Sequence, residues 1–207
     1  MEKILDYLDT LFPDPYCELK FGSNFELLVA VILSAQCTDK RVNMVTSEMF
    51  KKYNTPQAFA CLSQEKLEEM IKSCGFYHNK AKNIISAAKD ICEKFGGEVP
   101  SSREELMTLA GVGRKTANVV YALAFGGDAI AVDTHVFRVS NRLGIVNAKT
   151  PEECEKALME IFPKSKWTRL HYQFVLFGRY KCKAINPECE TCGLREICKY
   201  FNEKIRG

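Results

Sequence analysis

Apolar residues recur every three or four positions along almost the whole chain, and no sustained alternation of apolar and polar residues is present. The first spacing puts apolar side chains on one face of a helix, whereas alternation is typical of strands. The segment FELLVAVILSA, apolar nearly all round, is expected to form a central buried helix. The pattern predicts an all-α fold, with helices at 2–11, 24–36, 39–53, 64–73, 78–95, 103–109, 114–125, 133–144, 151–160 and 168–180.

Composition excludes several classes of protein. The chain has 207 residues, of which 46% are hydrophobic and 27% charged, so it is neither mainly disordered nor collagen-like. Its longest apolar runs, 27–33 and 119–125, fall far short of the roughly 20 residues that span a bilayer. The N-terminal residues MEKILDYLDT lack the features of a secretory signal or a transit peptide. These features predict a cytoplasmic protein without a transmembrane segment.

Positive charge and cysteine both concentrate near the C-terminus. The net charge is +3, and residues 178–207 contain seven Lys or Arg against four Glu, so residues 1–177 are balanced. Any surface that binds nucleic acid must therefore be local. Six of the ten cysteines are scattered, as expected of small buried apolar side chains. The other four lie within seventeen residues and need another explanation.

The turn Gly111-Val112-Gly113 separates two predicted helices and is followed by Arg114 and Lys115. Two glycines permit a tight turn that leaves the first N–H groups of the next helix facing outward, where they suit a phosphate. Such a turn is often no more than a connection between helices. However, two cations at a helix N-terminus are unfavourable by roughly a few tenths of a kcal/mol each unless an anion binds there. The motif thus indicates a helix-hairpin-helix that contacts the DNA backbone.

Lys115 is a candidate nucleophile. On a helical projection it lies about a quarter-turn from the centre of the apolar stripe, so partial burial is expected. Partial burial, the positive helix end and Arg114 would all favour the neutral amine, which can form a Schiff base. The alternative is an ordinary solvated lysine with a buried stem.

Asp133 stands where the N-cap of the predicted helix at 133–144 should be. In that place its carboxylate would accept hydrogen bonds from the first amides of the helix. Capping alone would explain the residue. The same contacts would also hold an ionised carboxylate in place, which is what a developing cation on a sugar requires.

The sequence C-x6-C-x2-C-x5-C places four thiols in one tail, at Cys182, Cys189, Cys192 and Cys198. Structural zinc commonly uses two tight Cys-x-x-Cys pairs, whereas only one such pair is present here. The wider outer spacings favour a [4Fe–4S] cluster, with zinc as the alternative. Lys181 and Lys183 flank the first cysteine and are candidates both for compensating the cluster's charge and for phosphate contact.

Three segments, LAGVGRKTANVV, VDTHVFRVSNRLG and the cysteine tail, together resemble the helix-hairpin-helix DNA glycosylases of the endonuclease III type. FELLVAVILSAQCTDKRVN and GFYHNKAKNI extend the resemblance to about residues 20–200. It implies two helical domains flanking a cleft, with Lys115 and Asp133 at its mouth. The first, at 21–128, is a six-helix domain with the helix-hairpin-helix; the second combines 1–20 with 129–207 and holds a [4Fe–4S] cluster loop at 182–198.

The resemblance also implies a reaction. The enzyme would be a monomeric base-excision repair protein of prokaryotic type that acts on chromosomal DNA, a bifunctional glycosylase and AP lyase. It would flip an oxidised pyrimidine out of duplex DNA. Lys115 would attack the sugar and form a Schiff base, and β-elimination would cut the strand 3′ to the abasic site. Asp133 would stabilise positive charge on the sugar, while the cluster would be structural.

Further contacts to DNA follow from the same resemblance. Gly111, Gly113 and Arg114 would bind the backbone, and Gln36 would fill the gap left by the flipped base. Phe76 occupies a wedge position at which the family usually has leucine, and His78 replaces the commoner asparagine. Because an apolar wedge of either type can unstack bases, these departures bear on substrate preference more than on the reaction class.

Two rival functions are separated by the same pair of residues. Relatives that remove adenine or mismatched thymine lack a lysine at the position of Lys115. A non-catalytic helix-hairpin-helix DNA binder with a redox-sensing cluster would need neither Lys115 nor Asp133. The presence of both favours the lyase-competent enzyme.

Overall fold

The computed structural model describes residues 1–205, and all of the regular secondary structure in this range is helical. This part of the chain contains no β-strand and confirms the predicted all-α class. Residues 206 and 207, the end of the predicted second domain, lie outside it. Its α-helices are α1 (Glu2–Leu11), α2 (Asn24–Ser34), α3 (Asp39–Met49), α4 (Pro56–Ala60), α5 (Gln64–Ile71), α6 (Tyr77–Lys94), α7 (Arg103–Leu106), α8 (Arg114–Phe125), α9 (Thr134–Leu143), α10 (Pro151–Ile161), α11 (Trp167–Tyr180) and α12 (Lys199–Lys204).

All ten predicted helices are present, with ends that differ from the predicted ones by up to four residues. Two helices, α4 and α12, were not predicted. They have five and six residues, which is too short for apolar spacing to establish a helical face. None of the helices in the described part of the chain combines the length and apolar character needed to cross a bilayer.

Contacts between Cα atoms divide the chain into two compact units, one formed by residues 17–127 and the other by 1–16 together with 128–207. The domain limits of 21–128 and 1–20 plus 129–207 stay predictions.

The unit at 17–127 is built around α2. Every residue of this helix from Leu27 to Leu33 is buried, as is Phe25, which confirms the predicted central helix. α8, which follows the glycine turn, packs against α2, while α6 packs against α4 and α5. The start of α8 is therefore carried on a rigid core.

In the other unit α9 is central, with contacts to α10, α11 and α12. Its buried face contributes Val136, Val139 and Leu143 to an apolar core. The N-terminal helix α1 joins this core and is tied to α11 by Asp9, which accepts a 2.7 Å hydrogen bond from Arg169. This bond to Arg169 holds the pKa of Asp9 below its ordinary value. The helix that begins after Asp133 is thus fixed on several sides.

Candidate active site and cluster loop

The turn before α8 has the backbone that its glycines predict. Gly111 has a φ of +78°, in the left-handed region, and a Cβ there would lie 2.8 Å from the Cβ of Asn83. Val112 between the glycines is buried, which anchors the turn to the core. A side chain at position 111 would therefore be both strained and crowded.

The first turn of α8 faces solvent. Gly113 is the N-cap and supplies no side-chain hydrogen bond, and the first turn contains no acidic residue. Arg114 and Lys115 are both exposed there. This helix start presents two cationic side chains and uncapped amides, an arrangement that suits an anion from outside the chain.

The expectation that Lys115 would be partly buried is wrong for the chain alone. The buried part of α8 begins at Ala117 and continues through Asn118, Val119 and Val120, around more than one side of the helix. Exposure in α8 is therefore greatest in the first turn, before its buried residues begin. The amine of Lys115 is directly accessible to a substrate.

Asp133 is the N-cap of α9, as its position in the sequence predicts. One oxygen, Oδ1, accepts hydrogen bonds of 2.8 Å from the backbone N–H groups of His135 and Val136. The other, Oδ2, accepts none from the described residues. Burial lowers the pKa of His135, and the carboxylate of Asp133 acts against that shift. The half-buried carboxylate is thus held by one oxygen and can interact through the other.

Gln36 and Phe76 share an unusual backbone. Both have positive φ values, +52° and +47°, which cost a non-glycine residue roughly 1–2 kcal/mol. Both residues are exposed, and Phe76 retains 64% of the accessible surface of the residue. Two residues on, the Nδ1 of His78 donates to Glu68 Oε2 at 2.7 Å. An exposed polar chain and an exposed aromatic ring on strained turns suit contact with a partner.

The four cysteines of the tail line one pocket. Cys198 is buried in the unit's apolar core, and Cys182, Cys189 and Cys192 pack against that core. Burial raises the pKa of Cys189, and the three other thiols raise it further. Four thiols with apolar walls fit a four-thiolate cluster. Residues 1–205 contain no group of three or more His, Cys, Asp or Glu side chains arranged to hold a single metal ion.

Two arginines of α9 hold this loop, and sequence reasoning missed both. Arg142 donates to the carbonyls of Lys183 (2.7 Å) and Ala184 (3.0 Å). Arg138 donates through Nε to the carbonyl of Cys182 (3.2 Å). The only sequence signal is their spacing of four positions, which puts two cations on one face of α9. α9 therefore carries Asp133 at its start and supports the cysteine loop along its length.

Lys181 and Lys183 have an acidic partner within the loop. Both make ion pairs with Glu188, with N–O distances of 3.4 and 2.7 Å. Their hydrogen bonds hold the pKa of Glu188 below its ordinary value. A role for these lysines in phosphate binding stays a prediction. A phosphate bound there would have to compete with Glu188.

Comparison with known proteins agrees with these features. Residues 29–164 match the family model described as HhH-GPD superfamily base excision DNA repair protein. Endonuclease III of Bacillus subtilis (strain 168) is 52% identical over 200 residues, covering 96% of this chain and 91% of that protein.

Two solved structures extend the similarity to three dimensions. A non-covalent endonuclease III–DNA complex matches with a TM-score of 0.96 and 49% identity, covering 100% of this chain and 97% of that one. A trapped endonuclease III–DNA covalent intermediate matches with a TM-score of 0.95 and 50% identity, covering 98% and 95%. The chain belongs to the endonuclease III family of helix-hairpin-helix DNA glycosylases.

Proposed function

We propose that this chain removes oxidised pyrimidines from duplex DNA and then cleaves the strand at the resulting abasic site. The observation that carries the proposal is the exposure of Lys115 in the first turn of α8. This helix follows the glycine turn and has no side-chain cap. The similar endonuclease III trapped as a covalent DNA intermediate supports a covalent mechanism. Lys115 is the amine in this chain that we assign to that step.

In the first step the neutral amine of Lys115 attacks C1′ of the deoxyribose. The bond from C1′ to the base breaks, and the base leaves with the bonding electrons and takes up a proton. Opening of the sugar ring then gives a Schiff base between Lys115 and C1′. Loss of a proton from C2′ drives β-elimination of the 3′ phosphate, which cuts the strand, and hydrolysis releases the lysine.

Asp133 stabilises the positive charge that develops on the sugar. Its Oδ1 is occupied by two backbone amides, which keeps the carboxylate in place, while Oδ2 remains available. A preorganised anion requires no reorganisation when the charge develops. Capping and catalysis are therefore compatible roles of one side chain.

Three parts of the unit at 17–127 bind the DNA. The turn at Gly111 and Gly113, with Arg114, contacts the phosphate backbone through amides and charge. Phe76 enters the base stack as an apolar wedge, and Gln36 occupies the space of the flipped base. Their exposure and their fixed, left-handed backbones support these roles.

The four tail cysteines hold a [4Fe–4S] cluster. The single Cys-x-x-Cys pair with wide flanking spacings supports it, as does the pocket that the four thiols share. With a cluster bound, the four thiolates would be cross-linked, which would stabilise a loop that has little regular structure. Anaerobically purified protein should be yellow-brown and contain about four iron and four sulfide ions per chain. Zinc without iron or sulfide would contradict the assignment.

Borohydride trapping tests the function. The protein is incubated with a duplex that carries one oxidised thymine or one abasic site, and the Schiff base is reduced to a stable amine. We expect a covalent protein–DNA adduct and a strand cut 3′ to the site, with neither product on an undamaged duplex. We also propose that the enzyme acts as a monomer on chromosomal DNA, which light scattering of the complex tests. Base release without any trapped adduct would contradict the lysine mechanism.

A further inference from the structure

Lys80, in the first turns of α6, is a buried lysine whose ammonium group is fully engaged. Its Nζ donates hydrogen bonds to the carbonyl oxygens of Leu33 (2.8 Å), Ala35 (2.7 Å) and Cys74 (2.7 Å). An ammonium group has three donors, so all of them are used. Lys80 is buried, with 6% of the residue's surface exposed.

The three carbonyls belong to two separate segments of the chain. Leu33 and Ala35 lie at the end of α2, immediately before Gln36, whereas Cys74 lies two residues before Phe76. The backbone N–H of Lys80 also donates to the carbonyl of Phe76 (3.1 Å). One residue therefore contacts both of the segments that carry the proposed gap-filling and wedge side chains.

Both segments need something to hold them. Gln36 and Phe76 are two of the three non-glycine residues with positive φ in the described part of the chain. Phe76 is also the N-cap of α6 and supplies no side-chain hydrogen bond to its first turn. A strained backbone persists only where its surroundings fix it, and the ammonium of Lys80 is such a fixing group.

Burial of a lysine side chain is energetically unfavourable, because the ammonium group loses its hydration. Burial lowers the pKa of Lys80, while the nearby thiols of Cys37 and Cys74 act in the opposite direction. An apolar side chain would avoid the loss of hydration that a buried ammonium suffers. What an apolar chain could not do is join three carbonyl dipoles from two segments at one point.

We propose that Lys80 is a positioning residue, which holds Gln36 and Phe76 in the paired arrangement that opens a base pair. This inference rests on the proposed roles of those two side chains. The proposed role predicts different effects on two activities, excision of a damaged base and cleavage at a preformed abasic site. Excision of a damaged base requires unpairing and unstacking, whereas a preformed abasic site has no base to remove from the stack.

The test compares Lys80→Met with wild-type protein in two single-turnover reactions: base release from a duplex with one oxidised thymine, and strand cleavage of a duplex with a preformed abasic site. We expect base release to slow at least tenfold, while abasic-site cleavage changes less than threefold. Fluorescence of 2-aminopurine next to the lesion, which rises on unstacking, should show a smaller increase with the variant.

Two control variants separate positioning from general loss of stability. Lys89→Met removes an exposed lysine from the same helix and should leave both reactions unchanged. Ile91→Ala, in the buried face of α6, should lower the melting temperature without favouring one reaction over the other. If Lys80→Met does not fold, Lys80→Arg takes its place, because a planar guanidinium keeps the charge but not the tetrahedral set of donors.

Equal slowing of the two reactions, or no slowing of base release, would overturn the role of Lys80. Phe76→Ala and Gln36→Ala test the underlying assignments separately. If they slow base release and Lys80→Met does not, only the inference on Lys80 fails. If they leave base release unchanged, the proposed roles of Gln36 and Phe76 fail first. In the double variant with Phe76→Ala, Lys80→Met should add less than it does alone, as expected for residues that act together.

Discussion

Helices α8 and α9 begin in opposite ways. α8 starts at Gly113, which has no side chain to cap the first amides, and carries Arg114 and Lys115 in its first turn. α9 starts at Asp133, whose carboxylate accepts from two amides in the first turn of α9 itself. Every α-helix leaves its first N–H groups without intrahelical partners, and its positive end attracts anions. α9 satisfies two of its first N–H groups through its own cap, whereas α8 has no side-chain cap, and we propose that it binds an external anion.

The presence or absence of a side-chain cap therefore suits the two helix N-termini to different functions. On the mechanism that we propose, the uncapped start of α8 binds phosphate and keeps Lys115 accessible, whereas the capped start of α9 holds the carboxylate of Asp133 near the developing cation. Changes that remove or exchange these features should therefore have separable effects on chemistry, DNA affinity and stability.

The largest effect is expected from Lys115→Ala. Without the amine no Schiff base can form, so borohydride trapping and strand cleavage should be lost completely. DNA affinity should stay within about threefold of wild type, or about 0.7 kcal/mol, because phosphate contacts come from elsewhere. Gel-based trapping and fluorescence anisotropy measure the two properties. A covalent adduct that persists in this variant would assign the chemistry to another amine.

Asp133→Asn should separate the two roles of the capped start. Asparagine caps about as well as aspartate but is uncharged, so the melting temperature should hardly change. Turnover should fall by about a hundredfold or more, each factor of ten being about 1.4 kcal/mol in the barrier. Single-turnover cleavage measures the rate. The control is Asp133→Ala, which also loses the cap and about 0.5–2 kcal/mol of stability. Near-normal cleavage by Asp133→Asn would show that Asp133 acts only as the N-cap of α9.

DNA affinity should depend steeply on salt although the net charge is only +3. If roughly three to five phosphates are neutralised, the log–log slope should be about −3 to −5. Titrations at several salt concentrations with a damaged duplex give the slope, and Arg114→Ala should reduce its magnitude by about 1. A slope near zero would contradict a phosphate-binding surface at α8, and an unchanged slope in Arg114→Ala would remove that residue from it.

Gly113→Asp converts the start of α8 into one like that of α9. The position accepts a side chain, since φ is −89° and a Cβ there would meet nothing within 4 Å. The new carboxylate should cap the helix and repel phosphate, which weakens DNA binding by about tenfold, or about 1.4 kcal/mol. Gly113→Asn is the matched control, because it caps without charge. Equal affinities of the two variants would show that the uncapped start does not bind an anion.

The features that could be predicted from the sequence are local ones. Asp133 was predicted as an N-cap because the cap and its amides lie within three residues. The cysteine pocket followed from four residues close together in the chain. The cations in the first turn of α8 could be predicted, but the exposure of Lys115 could not. Apolar periodicity shows which face of a helix is buried, not how deeply each turn is buried.

The features that could not be predicted depend on distant partners. In the sequence Lys80 looks like an ordinary helix lysine, but it is buried and its ammonium group donates to carbonyls 45 and 47 positions earlier. Arg142 likewise reaches carbonyls 41 and 42 positions later. Both side chains have high preference for solvent, so only the tertiary fold indicates that they stabilise loops.

The attacking amine can be identified from the covalent product itself. Wild-type protein is reduced with borohydride on a duplex with one abasic site, the DNA is digested to a small remnant, and the modified lysine is located by peptide mass spectrometry. The mechanism predicts the remnant on Lys115, with loss of tryptic cleavage after that residue. A remnant on any other lysine, or on the N-terminal amine, would contradict it.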